Sequence, residues 1–138
     1  MAETLRGSCL CGGVRFEITE PFLNANHCHC SRCRKHSGTF GGTQGRVPRE
    51  GFRLLAGEDL ISAYRPEAGA VKAFCSRCGS SLFGRTWPEG PEISVRLGAL
   101  DDDPGIRPEF HTFVDSKAPW DVLPDDGLPR YPEGHPGR

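Results

Sequence analysis

The residues best suited to chemistry are seven cysteines in three groups, Cys9-x-Cys11, Cys28-x-Cys30-x-x-Cys33 and Cys75-x-x-Cys78, the last followed by Gly79. Four thiolates around a zinc ion at about 2.3 Å hold their sulfurs about 3.8 Å apart, and a Cys-x-x-Cys turn curls its side chains round one such point. A Cys-x-Cys pair in a strand sends both side chains to one face, with Cα atoms about 6.6 Å apart, so rotation about the side-chain bonds can bring both sulfurs to one ion. Disulfides fit less well. The Cys-x-Cys separation lies near the upper limit for a bridge, its Cβ vectors run parallel, and an odd count leaves one sulfur over. A thioredoxin-type role for Cys75 and Cys78 requires a helix carrying the second thiol, whereas Ser81-Leu82-Phe83 reads as a strand.

Counting divides the ligands. Two pairs make the natural four-ligand set, in which Cys9 and Cys11 join Cys75 and Cys78 and close a long loop as a structural zinc does. Cys28, Cys30 and Cys33 remain, and three protein ligands with one exchangeable position are the arrangement of a catalytic zinc. Three thiolates make a poorer Lewis acid than a His-rich set but favour an incoming thiol as its thiolate, so a thiol substrate suits this group better than activated water. In an extended strand His27 and His29 face away from Cys28 and Cys30, and packing or hydrogen bonding on the opposite face is their expected role. His36 lies within one helical turn's reach of the third thiol, either as a site residue or as a polar helix end. Arg32, Arg34 and Lys35 can offset thiolate charge, and Arg32 and Lys35 are candidates for pairing with a substrate carboxylate; the plainer alternative is a solvated basic turn.

The elements that must position these groups are short. Leu5 to Ile18 predicts a hairpin turning at Cys11-Gly12-Gly13, Asn24 to Cys30 is extended, and Ser31 to His36 predicts one or two helical turns stopped by Gly38. Strands are predicted over Thr39 to Val47, Phe52 to Leu55, Leu60 to Tyr64, Val71 to Cys75, Ser81 to Gly84, Ile93 to Leu97 and Phe110 to Val114, separated by Gly, Pro or Asp turns. The fold class is therefore mostly β with at most one or two short helices. One domain over residues 1–123 is expected, followed by a Pro/Gly-rich tail over 124–138 whose sparse apolar content predicts mobility at its end. Asp101-Asp102-Asp103 reads as an exposed turn and not as a hard-metal site. Trp120 is expected in a core, with Trp87 and Trp120 as an alternative pair of pocket walls.

Composition sets the remaining limits. Of 138 residues 36% are hydrophobic, and 18 Gly and 12 Pro interrupt the chain, so a staple beyond apolar burial is expected. Lys and Arg number 17 against 18 Asp and Glu, which provides no overall basic field for nucleic acid or an anionic membrane. No apolar run reaches the length of a membrane span, and the opening Met1-Ala2-Glu3-Thr4-Leu5-Arg6 lacks the order of a signal peptide, so a cytoplasmic setting is expected. In that reducing setting, clustered thiols serve as metal ligands in preference to cystines.

Gly7-Ser8-Cys9-Leu10-Cys11-Gly12-Gly13-Val14-Arg15-Phe16, Cys28-His29-Cys30-Ser31-Arg32-Cys33-Arg34-Lys35, Phe74-Cys75-Ser76-Arg77-Cys78-Gly79-Ser80 and His111-Thr112-Phe113-Val114-Asp115-Ser116-Lys117-Ala118-Pro119-Trp120 occur in that order. Together they resemble the glutathione-dependent formaldehyde-activating enzyme family, which includes centromere protein V. The resemblance implies a β-rich, zinc-stapled fold like that of the Mss4 proteins. It further implies two zinc ions per chain, one structural on Cys9, Cys11, Cys75 and Cys78, the second on Cys28, Cys30 and Cys33. The implied activity is that of a carbon–sulfur lyase, adding a small thiol such as glutathione to formaldehyde or another small carbonyl compound. A noncatalytic zinc-stabilised binding module and a thiolate metal or redox sensor stand as alternatives.

Overall fold

A computed structural model of the chain describes residues 3–137; Met1 and Ala2 of the opening segment and Arg138 of the tail lie outside the described residues. Alternating side chains and frequent turn residues produce, among the described residues, ten strands and one α-helix. A small antiparallel sheet is ordered β1 (Leu5–Ser8), β2 (Arg15–Ile18), β5 (Phe52–Ala56). The large sheet is built from β3 (Asn24–Cys28), β4 (Gly42–Pro48), β6 (Ile61–Tyr64), β7 (Val71–Cys75), β8 (Ser81–Arg85), β9 (Glu92–Arg96) and β10 (His111–Thr112). Its spatial order is β10-β3-β4-β9-β8-β7-β6, antiparallel except for the β10–β3 pair.

The period of two along each strand separates two faces of the large sheet. Val47, Ile93, Val95, Phe83, Ala73 and Cys75 point to one face and meet Val14, Phe16 and Ile18 of the small sheet in the core. Phe16 packs edge-on to Phe83 with ring centroids 5.2 Å apart, and each such fully buried aromatic contributes about 1.5–3 kcal/mol. The other face carries Thr112, Cys28, Asn26, Gln44, Arg96 and Lys72 and forms the floor of a cavity. The helix α1 (Ser31–Ser37) stands at its edge; Gly38 ends it as predicted, at φ +74°.

Three expectations meet differences. The strand predicted over Phe110 to Val114 shrinks to two residues, because Phe113 adopts φ +55° and turns the chain into a 3-10 turn at Val114–Ser116. The middle of the tail pairs along β10 through His111 N to Pro129 O, Tyr131 N to His111 O and Phe113 N to Glu133 O, each 2.9 Å. These backbone bonds hold a segment whose own side chains bury little. Trp120, expected in a core, is 66% exposed, since a turn closed by Asp121 N to Ala118 O buries Ala118 and leaves the indole outside. Trp87 does not face it across a pocket but stacks on Phe83 at 4.1 Å.

Candidate functional site

The structure brings the seven thiols into two groups, Cys9, Cys11, Cys75 and Cys78, and Cys28, Cys30 and Cys33. Within each group the sulfurs all lie within 4.8 Å of one another. In the first group, Cys9 follows β1 and its carbonyl accepts from Gly12 N at 3.0 Å, which folds Cys11 back until the two sulfurs are 3.5 Å apart. Cys75 ends β7, and Gly79 N donates to its carbonyl at 2.7 Å with φ +80° at Gly79, a left-handed geometry that side chains resist. Cys11 and Cys75 sulfurs stand 3.9 Å apart, close to the spacing of about 3.8 Å that four thiolates around one zinc require.

This group ties the small sheet to the large one, with Cys9 and Cys75 inside the hydrophobic core and Cys11 exposed. The Gly13 backbone N–H, followed by Arg77, whose Nε donates to Cys11 Sγ at 3.2 Å, lowers the Cys11 thiol below its ordinary range. The Ser80 hydroxyl and backbone N–H bring Cys78 down to about 5, while burial pushes Cys75 up.

In the second group Cys28 closes β3, Cys30 caps α1 and Cys33 lies in its first turn. Cys33 N donates to Cys30 Sγ at 3.3 Å, so sulfur does the work usually given to a Ser or Asp oxygen. Gly41 lets the chain pass against Cys28: a Cβ there would stand 2.1 Å from the Cys28 carbonyl oxygen. Hydrogen bonds from Cys28 and then Cys30, with the charges of Lys72 and Arg96, hold the Cys33 thiol far below its ordinary range. Cys28, tied by those same bonds to Cys30 and Cys33, is pushed up. Lys72 Nζ lies 3.3 Å from Cys33 Sγ although the residue is only 6% exposed, and a buried ammonium persists where an anion faces it.

These three sulfurs border a cavity of about 620 Å³. Its floor is a hydrogen-bond ladder across four strands. Arg96 Nη1 donates to Gln44 Oε1 at 2.5 Å, Gln44 Nε2 to Asn26 Oδ1 at 3.1 Å, and Asn26 Nδ2 to Thr112 Oγ1 at 3.1 Å. Each of these groups has its partner, so the floor is rigid.

Behind Cys28 and Cys30, His29 Nε2 meets His111 Nδ1 at 2.8 Å, and His111 Nε2 meets Asp126 Oδ2 at 2.8 Å. His27 Nδ1 pairs with Thr43 Oγ1 at 2.7 Å and its ring stacks on His111. Both thus take the opposite-face role expected of them. Burial, followed by the charge of His111, lowers both imidazoles. Of the residues proposed to meet a substrate, Arg32 borders the cavity but donates to the Ala68 carbonyl. Lys35 is exposed and His36 turns to Ser81 Oγ at 3.2 Å; neither lines the cavity. The Asp101–Asp103 turn binds β1 through Ser8 and the Arg6 amide, and Arg107 pairs with Asp103 at 2.8 Å.

The sequence reading missed Lys72, Arg46, Arg96, Asn26 and Gln44. For Lys72, Arg46, Arg96 and Gln44 a signal was present: each is a polar residue on one parity of a predicted strand whose other parity is small or apolar, whereas Asn26 alternates with Ala25, His27 and His29 and carries no such signal.

The model of the glutathione-dependent formaldehyde-activating enzyme family matches residues 4–116. The chain belongs to that family. A Halomonas elongata relative, provisionally named a glutathione-dependent formaldehyde-activating enzyme, is 34% identical over 125 residues, 84% of this chain and 78% of its own. Fungal members with the same provisional name, from Talaromyces marneffei and Penicillium rubens, are 30% and 33% identical over 78% of this chain; it spans 60% and 59% of their lengths. A crystal structure of a Rhodobacter sphaeroides protein shares the fold, with a TM-score of 0.57 at 22% identity, covering 91% of this chain and 98% of that one.

Both sulfur groups fit the metal that the family resemblance implies. Soft donors at this spacing match a tetrahedral thiophilic ion, and each group combines buried and more accessible sulfurs. No helix among the described residues is long and apolar enough to cross a membrane.

Proposed function

We propose that this family member holds two zinc ions and adds a small thiol, glutathione or a similar one, to formaldehyde or another small carbonyl compound, as a carbon–sulfur lyase does. The observation that carries the reading is the second sulfur group: three thiols, one of them 3.3 Å from the buried Lys72 Nζ, border a cavity large enough for a tripeptide. Cys9, Cys11, Cys75 and Cys78 would hold the structural ion, and Cys28, Cys30 and Cys33 the second. A zinc ion on three thiolates supplies an exchangeable position that favours an incoming thiol as its thiolate.

The chain's own residues do the rest. The Arg96–Gln44–Asn26–Thr112 ladder fixes the surface on which the thiol's body rests, and the helix cap at Cys30 fixes the three sulfurs beside it. Lys72 places a positive charge at the sulfur cluster, opposing the repulsion that a further thiolate would meet there. In the reaction the substrate sulfur bonds to the carbonyl carbon, the C=O π pair moves to oxygen, and the proton lost by the thiol ends on that oxygen. Holding both reactants together removes the entropic cost of their encounter. A reducing compartment such as the cytoplasm keeps all seven thiols available for this work.

A metal count combined with glutathione titration tests the reading. Cys30→Ser keeps an N-capping oxygen, so the fold survives. Two zinc ions per wild-type chain, one in the variant, and loss of glutathione binding with the second ion are expected. Equal glutathione binding by a variant lacking that ion would overturn the proposal.

A further inference from the structure

The walls and floor of the cavity carry Arg32, Arg46, Lys72, Arg85 and Arg96, and no Asp or Glu among the described residues, in a chain of net charge −1. Most of these cations are already engaged. Lys72 serves Cys33, Arg96 serves Gln44, and Arg32 serves the Ala68 carbonyl. Arg46 has a 3.8 Å contact with Glu92. The Arg85 side chain makes no hydrogen bond or ion pair among the described residues.

Arg85 is also held in an unfavourable backbone conformation, at φ +60°. Among the described residues the non-glycine positions with positive φ are Arg85 and Phe113, and both border this cavity. A side chain without a partner does not repay such strain in the free protein, and strain of this kind collects where ligands are held. A second hollow of about 530 Å³ adjoins the first, shares Arg46, Arg85 and His135 with it, and is lined also by Glu92, whose carboxylate lies beside Arg46 and leaves Arg85 as the cation without a partner among the described residues. His135 comes from the tail, outside the 4–116 span that matches the family, and its ring is set by Phe110 at 4.7 Å and Tyr131 at 4.9 Å.

We propose that Arg85 and Arg46, closed over by His135 of the C-terminal tail, form an anion subsite that takes a carboxylate of the thiol substrate. The inference rests on the thiol reading above and adds to it the residues that would take the substrate's carboxylate, away from its sulfur. A guanidinium matches a carboxylate with two parallel N–H donors, and the neighbouring arginine discourages any cationic group there. The tail would then close the anion subsite in this chain.

Isothermal titration of the zinc-loaded full chain with glutathione, S-methylglutathione and 2-mercaptoethanol tests this, in wild type and in Arg85→Gly. Glycine accepts φ +60°, so the variant's melting temperature should equal or exceed that of wild type and folding is not at issue. Glutathione and S-methylglutathione should each bind about ten-fold or more weakly to the variant, the loss typical of a charge-assisted pair, while 2-mercaptoethanol changes less than about two-fold. Glutathione binding within about two-fold of wild type in Arg85→Gly, or no binding of any of the three to wild type, would overturn the subsite. If S-methylglutathione binds wild type as tightly as glutathione and both depend on Arg85, the anion subsite stands and the thiol reading falls.

Discussion

The two sulfur groups use the same atoms for opposite ends. The four-cysteine group joins two sheets, with Cys75 fully buried in the core and Cys9 nearly so, and it lines neither of the two hollows described above. The three-cysteine group hangs at one strand end and one helix turn, with Cys30 partly accessible and all three sulfurs beside a cationic cavity. What separates a staple from a candidate reaction centre here is the tertiary surroundings of the sulfur and not its chemistry. A group that ties core to core is stiff and closed, whereas one ligand short of a tetrahedron at a cavity edge leaves room for a guest.

Substitution separates the two most sharply. Cys75→Ser should abolish the folded state, because zinc in small modules contributes on the order of 10–16 kcal/mol, as much as or more than the entire stability of a domain this size. Circular dichroism of the variant should show no cooperative thermal transition; a wild-type melting curve with one ion lost would erase the distinction between the groups. Cys33→Ser, at the other group, should leave a folded protein that counts one zinc by mass spectrometry where wild type counts two. A variant that unfolds like Cys75→Ser would make both groups structural.

Smaller changes sharpen the comparison. Lys72→Met keeps length and burial but removes the charge facing Cys33, and should weaken the second ion about ten-fold in competition with a chromophoric chelator while leaving the first unchanged. A loss of both ions together would show that Lys72 supports the sheet and not the site. Asp126→Ala removes the outer end of the His29–His111–Asp126 chain behind Cys28 and Cys30. It should lower the thermal midpoint by several degrees. An unchanged midpoint would mean that the tail's carboxylate adds nothing to the support of this group.

Strand positions were legible wherever apolar residues alternate between turn residues, as over Val71–Cys75, where the predicted and observed limits coincide. Helix α1 was legible from its polar, basic run and Gly38. The outward placement of His27 and His29 followed from strand parity, and both do point away from the sulfurs. Other residues defeated local reading. Trp120 carries an apolar ring that composition assigns to a core, but the turn at Ala118 exposes it. Lys35 lies about 200° round the helix from Cys33 and faces solvent, whereas His36 stands one turn from Cys33 on the same side but pairs with Ser81 Oγ and does not line the cavity.

By itself the sequence determined that seven thiols are grouped at spacings a metal could use, that the chain is mostly β, and to which family it belongs, because ligand spacing and alternation are local properties carried by neighbouring residues. Only the tertiary structure decided which strands lie side by side, and so which polar faces join into one wet floor. The same fold brought Lys72, Arg96, Gln44 and Asn26 from four strands to one floor and returned His135 from the tail to its edge. The physical reason is that strand order and register are settled by burial summed over the whole core, so residues far apart in sequence meet at positions that no local pattern encodes. The seven cysteines could be counted in the sequence, but their division into a closed and an open set acquired its geometry only when two sheets closed over one core and left the other face free.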